Sequence, residues 1–294
     1  MGKLFVIISA VCFGCSNAYW KKATTDTPFL VVIFYRGIIA SSIFGVLWMV
    51  AYNYKVLPSF MDGSNGFSNT QLVYTIALCI FSGFGLLFFV RSLQLTMVSI
   101  VVPLSSVNIF AILTATFVLK EAWKNLYLIA IGLTVTGIWL IFKSTNPSSD
   151  NKDIAKSFIT SLLASFFWGI SYALFKIPIR WIGPIPFSFI LEFTISLFAL
   201  VLLLINGSLR HVIHKRPFKP NKHYWILALL VIGGTLFVNL SMMSTPITEV
   251  NILSNTSQLI SLAMGYILYR EKLTTKQWLG VMAIICSIVL ISLM

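Results

Sequence analysis

Apolar runs of about 17–25 residues follow one another along nearly the whole chain, and this leaves very few folds open. Each run is long enough to cross a hydrocarbon core of roughly 30 Å. Backbone polar groups in lipid must be satisfied internally, so only helices or closed barrels can span it. The runs are continuous and show no two-residue alternation, which selects helices. The spans read as 4–20, 29–52, 72–93, 98–119, 125–142, 157–177, 185–205, 224–243, 250–269 and 277–294, about ten in all. Composition agrees: 58% of residues are apolar and 10% charged, where a soluble domain is nearer a quarter charged. The net charge of +13 does not point to nucleic acid, because the basic residues sit at span ends, as from Arg210 to Lys222. The longest hydrophilic stretches, 143–156 and 206–223, are too short to fold alone.

The chain also repeats itself in register. Tyr74, Gly83 and Glu121 recur 150 residues later as Tyr224, Gly233 and Glu271. The same offset pairs Ser105 with Asn255, Asn108 with Gln258 and Gly137 with Ser287. Nearer the start, an offset of 155 pairs Phe13 with Trp168, Gly14 with Gly169, Asn17 with Tyr172 and Lys21 with Lys176. In the second and seventh spans the offset is 156, pairing Pro28 with Pro184 and Arg36 with Glu192. The division is therefore 1–145 for a first five-helix repeat, 146–156 for a linker and 157–294 for a second repeat. Two similar halves with odd span counts enter the membrane in opposite directions. The expected fold is an all-α membrane protein of about ten transmembrane helices, arranged as two inverted five-helix repeats. Inverted repeats of this kind build secondary transporters around a central site.

Enzymatic chemistry finds no support. The histidines at 211, 214 and 223 share one basic loop, and His211-x-x-His214 lacks a nearby carboxylate or cysteine. No Walker loop, H-E-x-x-H or glycine fingerprint stands in a workable context. Neither cofactor nor metal is expected. Cys12-Phe13-Gly14-Cys15 reads as helix packing, because apolar surroundings work against a reactive thiolate. The first span resembles a signal peptide only superficially, since its run continues to Trp20 and the second half holds its counterpart.

Four stretches carry a resemblance to the drug/metabolite transporter superfamily, and to its EamA-type ten-helix members in particular. They are Phe13-Gly14-Cys15-Ser16-Asn17 with Lys21-Lys22; Arg36 within Phe34-Tyr35-Arg36-Gly37; Arg91-Ser92-Leu93-Gln94 leading to Val101-Val102-Pro103-Leu104; and Leu119-Lys120-Glu121 with Tyr269-Arg270-Glu271. Three departures stand out: Cys15 where serine or threonine is common, no second-half proline opposite Pro103, and Glu192 where the second helix has Arg36. The resemblance implies a cavity between the halves, walled by the first, third, fourth, sixth, eighth and ninth helices, with the fifth and tenth outside. It also implies a bacterial cytoplasmic membrane and cytoplasmic termini. Lysine and arginine at alternate span ends number about 6 on the N-terminal side and about 13 opposite, which favours an external N-terminus instead.

Helical spacing supplies the candidate site residues. Asn251, Asn255 and Gln258 fall at i, i+4 and i+7, on one face of the ninth helix. Ser105 and Asn108 occupy the matched face of the fourth. Ser161, Ser165, Trp168 and Tyr172 form a stripe on the sixth, and Thr235 and Asn239 on the eighth. Buried amides in hydrocarbon need protein or water partners. The candidate substrate site is thus Asn17, Asn108, Trp168, Tyr172, Asn239, Asn255 and Gln258, with interhelical hydrogen bonding as the plainer alternative. Glu192, the one clearly intramembrane carboxylate, is a candidate for proton coupling or for an ion pair. Arg36 is expected to snorkel or to brace a helix end, and Arg91 to meet an anionic group or the interface; both are also candidates, with Glu192, for the coupling or ion-pair role. Small residues at Ala130, Thr134 and Gly137, and at Gly280, Ala283 and Ser287, suit either packing within the chain or a homodimer through the fifth and tenth helices. The reading is a secondary transporter, an exporter of small metabolites such as amino acids, working by alternating access. The alternatives are a multidrug or quaternary-amine exporter and a non-transporting scaffold or receptor. Lipid and a small-molecule substrate are the expected partners, with no nucleic acid.

Overall fold

The computed structural model describes residues 1–25, 27–54, 68–105, 109–123, 125–143, 151–206, 222–254 and 256–292. Among them every regular element is a helix. In chain order these are α1 (Gly2–Ala23), α2 (Phe29–Tyr54), α3 (Asn69–Leu95), α4 (Val98–Ser105), α5 (Ile109–Phe117), α6 (Leu126–Lys143), α7 (Asn151–Leu174), α8 (Lys176–Ile182), α9 (Pro184–Ile205), α10 (Lys222–Met242), α11 (Ile247–Ser254), α12 (Thr256–Tyr269) and α13 (Thr275–Ser292).

The boundaries have local causes. Ser68 and Gln71 form a reciprocal capping box ahead of α3, and Thr274 with Gln277 repeats it ahead of α13. Gly183, at φ 86°, turns the chain so that Pro184 can open α9, where its missing N–H costs nothing. After α5 and α12 the chain turns through Lys120 (φ 58°) and Arg270 (φ 53°), a left-handed conformation usually given to glycine.

Seven described stretches are long and apolar enough to cross a membrane: those containing α1, α2, α3, α9 and α10, the α4–α5 stretch and the α7–α8 stretch. The ten-span division is therefore seen only in part. The expected fifth and tenth spans are α6 and α13, of 18 residues each. The expected ninth is described as α11 and α12, on either side of Asn255, which lies outside the described residues.

The main helix pairings are α2 with α9, α1 with α10, α3 with α7, and α6 with α13. Each joins a helix of the first half of the sequence to one of the second. Two glycines bring backbones close at further cross-half contacts. A Cβ on Gly14 would meet Ile260 at 2.6 Å, and one on Gly169 would meet Phe110 at 2.7 Å. Between α3 and α7 the hydroxyl of Ser92 lies 2.8 Å from that of Ser157 and 2.5 Å from that of Ser161. Between α6 and α13 the hydroxyls of Thr134 and Ser287 lie 2.8 Å apart, and a Cβ on Gly137 would meet the Gly280 carbonyl at 2.5 Å. The small-residue faces of these two helices thus meet inside one chain.

Candidate functional site

A cavity, partly open to the outside, lies between the two halves. Helices α1, α3, α4, α5, α7, α10, α11 and α12 contribute to its wall, and none of the described residues of α6 and α13 does. Two helices that the sequence left out also reach it: α2 through Arg36, and α9 through Leu191, Glu192 and Ile195.

Four of the candidate substrate residues converge here. Asn17, Trp168, Tyr172 and Asn239 all line the cavity. The rings of Trp168 and Tyr172 stack with centroids 6.0 Å apart and planes inclined by 18°. Phe89 supports Trp168 at 5.0 Å, and Phe175 meets Tyr172 edge-on at 5.4 Å. Gly85 makes room for the indole, since a Cβ there would lie 2.5 Å from Trp168 Cδ1. Asn17 Nδ2 donates to Ser261 Oγ (3.4 Å), and Asn239 Nδ2 donates to Ser188 Oγ (2.9 Å).

Others fall elsewhere. Asn108 and Asn255 lie outside the described residues, as do His211 and His214. Gln258 is buried but does not line the cavity; its neighbour Ser257 does, together with Ser254 and Asn251. Ser161 leaves the expected stripe to bond with Ser92, while Ser165 stays on the cavity. Arg91 is exposed, within 3.4 Å of Gln94 Oε1, and is not on the cavity wall.

Of the alternatives open to Arg36, the ion pair with Glu192 is the one formed. Arg36 does not snorkel: it is 2% exposed, as is Glu192, and its Nη1 lies 2.5 Å from Glu192 Oε2. The two residues that match across the repeat face one another. Thr235 Oγ1 donates to the second carboxylate oxygen at 3.5 Å, and the Trp20 ring lies 5.5 Å from the guanidinium carbon. The charges of the pair cancel, so this part of the cavity carries no net charge. Among the described residues, three buried polar atoms on the wall are without a hydrogen-bond partner: Arg36 Nε, Asn251 Nδ2 and Ser254 Oγ. An unpaired buried donor costs about 1–3 kcal/mol, so such groups ask for an acceptor. Among the described residues no group of histidine, cysteine or acidic side chains could hold a metal ion.

The EamA-like transporter family model matches this chain twice, over residues 1–143 and again over 155–293. Two proteins of Helicobacter pylori, from strains 26695 and J99 and each described as an uncharacterized transporter, are 25% and 24% identical to it. Each alignment covers 99% of this chain and 94% of the relative. A solved crystal structure superposes with a TM-score of 0.63 over 98% of this chain and 95% of its own, at 11% identity.

Proposed function

On the premise that this chain belongs to the EamA-like transporter family, within the drug/metabolite transporter superfamily, we propose that it exports small zwitterionic metabolites such as amino acids by alternating access. It is an integral membrane protein and a transporter rather than an enzyme. The finer reading places two inverted five-helix repeats around the central cavity, with α6 and α13 outside it. Reciprocal pairing supports that arrangement, since α1 packs on α10 as α7 packs on α3. The Helicobacter relatives support a bacterial cytoplasmic membrane as the location. No nucleotide-binding motif occurs in the sequence, which supports secondary rather than ATP-driven transport.

One observation carries the substrate class: the cavity joins a charge-balanced Arg36–Glu192 pair to unsatisfied donors and an aromatic wall. A carboxylate or carbonyl fits Arg36 Nε and Asn251 Nδ2, and an apolar side chain fits Trp168 and Phe89. With Arg36 this close, Glu192 acts as an ion-pair partner rather than as a proton carrier. A quaternary-amine substrate is the second reading, favoured by the stacked Trp168 and Tyr172 faces alone. The test is counterflow in proteoliposomes loaded with a panel of neutral amino acids and, in parallel, quaternary amines. Exchange of an amino acid that is lost in Trp168→Ala supports the proposal. Exchange confined to the amines overturns it in favour of the second reading, and no exchange of any solute leaves a scaffold or receptor.

A further inference from the structure

We propose that Glu121 and Glu271 are the two gate latches of the transport cycle, each closing one end of the cavity by tying the halves together. The inference rests on the alternating-access reading above. Glu271 stands just past the left-handed turn that ends α12. Its carboxylate accepts the backbone N–H groups of Val98 (3.0 Å) and Ser99 (3.0 Å) at the start of α4, and the Ser99 hydroxyl at 2.8 Å. Lys21, at the end of α1, completes the cluster at 3.2 Å and also donates to the Thr96 carbonyl at 3.1 Å.

Glu121 repeats this with the halves exchanged. It stands just past the left-handed turn after α5. It accepts the Ile247 N–H at the start of α11 (3.2 Å) and the Thr248 hydroxyl, with Lys176 at 3.7 Å. Lys176 matches Lys21 in the repeat, as Glu121 matches Glu271. In both clusters a first-half residue meets a second-half one, so a rocking of the halves must break one or the other.

The clusters lie near opposite ends of α1. Helix α1 starts beside α11, where Lys3 pairs with Glu249 at 3.3 Å, and ends at Glu271. Lys3 and Lys21 are therefore separated by about 27 Å at 1.5 Å per helical residue. The cavity lies between: its wall reaches Trp20, next to Lys21, and Phe175, next to Lys176. The latches are also unequal. The Glu271 side chain is 5% exposed and all its bonds are 3.2 Å or shorter; that of Glu121 is 21% exposed, with its lysine at 3.7 Å. Glu121 marks the end that opens at lower cost.

Simple fraying of a helix start would not change access to the cavity, so access is the readout. A cysteine placed at Ser165, in protein whose four native cysteines are replaced, reacts with a membrane-impermeant maleimide added to either side of proteoliposomes. Glu271→Gln is expected to raise the labelling rate about tenfold from the Glu271 face, and Glu121→Gln similarly from the opposite face. If Glu271→Gln does not fold, Ser99→Ala and Thr248→Ala each remove one hydroxyl bond, and a two- to threefold rise on the same respective faces is expected. Labelling that is unchanged, or that rises on one and the same face for both latches, overturns the proposal. Failure of the transport reading looks different. If no solute is carried but the variants still open opposite faces, the latches stand and the substrate assignment falls.

Discussion

Trp168 owes its place to a residue with no side chain. With a Cβ at Gly85 lying 2.5 Å from the indole, Gly85→Ala must push the ring into the cavity or displace α3 from α7. We expect Gly85→Ala to insert and fold while flux falls about tenfold, since displacing a group by about 1 Å costs up to a hundredfold. Proteoliposome flux and tryptophan emission check this, and wild-type values of both would remove Trp168 from the site. Gly234 bears the same relation to Phe13, with a 2.7 Å approach, so the prediction extends to Gly234→Ala. The Arg36–Glu192 pair gives a second test. Removing one partner leaves a buried charge uncompensated, so Arg36→Gln or Glu192→Gln should each cost about 3–5 kcal/mol. The double variant Arg36→Glu, Glu192→Arg should recover most of that stability in detergent melting curves. Sequence register placed these two at equivalent positions, yet register is one-dimensional. It says that two residues correspond, and not that the axis relating them brings them face to face.

Among the elements, the left-handed turns at Lys120 and Arg270 are the sharpest departures from what each residue prefers. A non-glycine residue there costs roughly 1–2 kcal/mol, part of which glycine would give back as extra freedom in the unfolded chain. Lys120→Gly and Arg270→Gly should each stabilise the protein by about 0.5–1 kcal/mol, read as a raised melting temperature. Lowered stability would show that these side chains make contacts worth more than the strain. The spans themselves were legible because a long apolar run has one low-energy answer in lipid. Which residues of the ninth span face the cavity was less so, because an i, i+4, i+7 count names a helix face and not its neighbours. Gln258 was placed on the cavity face, and its neighbour Ser257 lines the cavity instead. The roles of Glu121 and Glu271 were hidden for another reason: their partners are backbone amides far along the chain, which no side-chain pattern announces.

For the whole molecule, the contact of α6 with α13 bears on assembly. Their small-residue faces are already occupied by each other, so a homodimer through these helices, which stands as a proposal, would use outer residues such as Leu128, Val135, Trp139 and Leu279. Gly137→Leu should therefore separate α6 from α13 and lower the melting temperature of a single chain. It should leave unchanged any dimer seen by mass photometry in nanodiscs; a dimer that dissociates instead would mean the small faces bridge two copies. The cross-half pairings reach further, into how the protein is made. Helices α1, α2, α3 and α6 each find their main neighbour in chain that has yet to be synthesised when they enter the bilayer. The first half must wait among lipids or insertion factors, its serine and asparagine faces unmatched, until translation delivers the second. Two fragments cut between residues 143 and 155 and expressed together should consequently rescue each other, while either one expressed alone falls to membrane proteases.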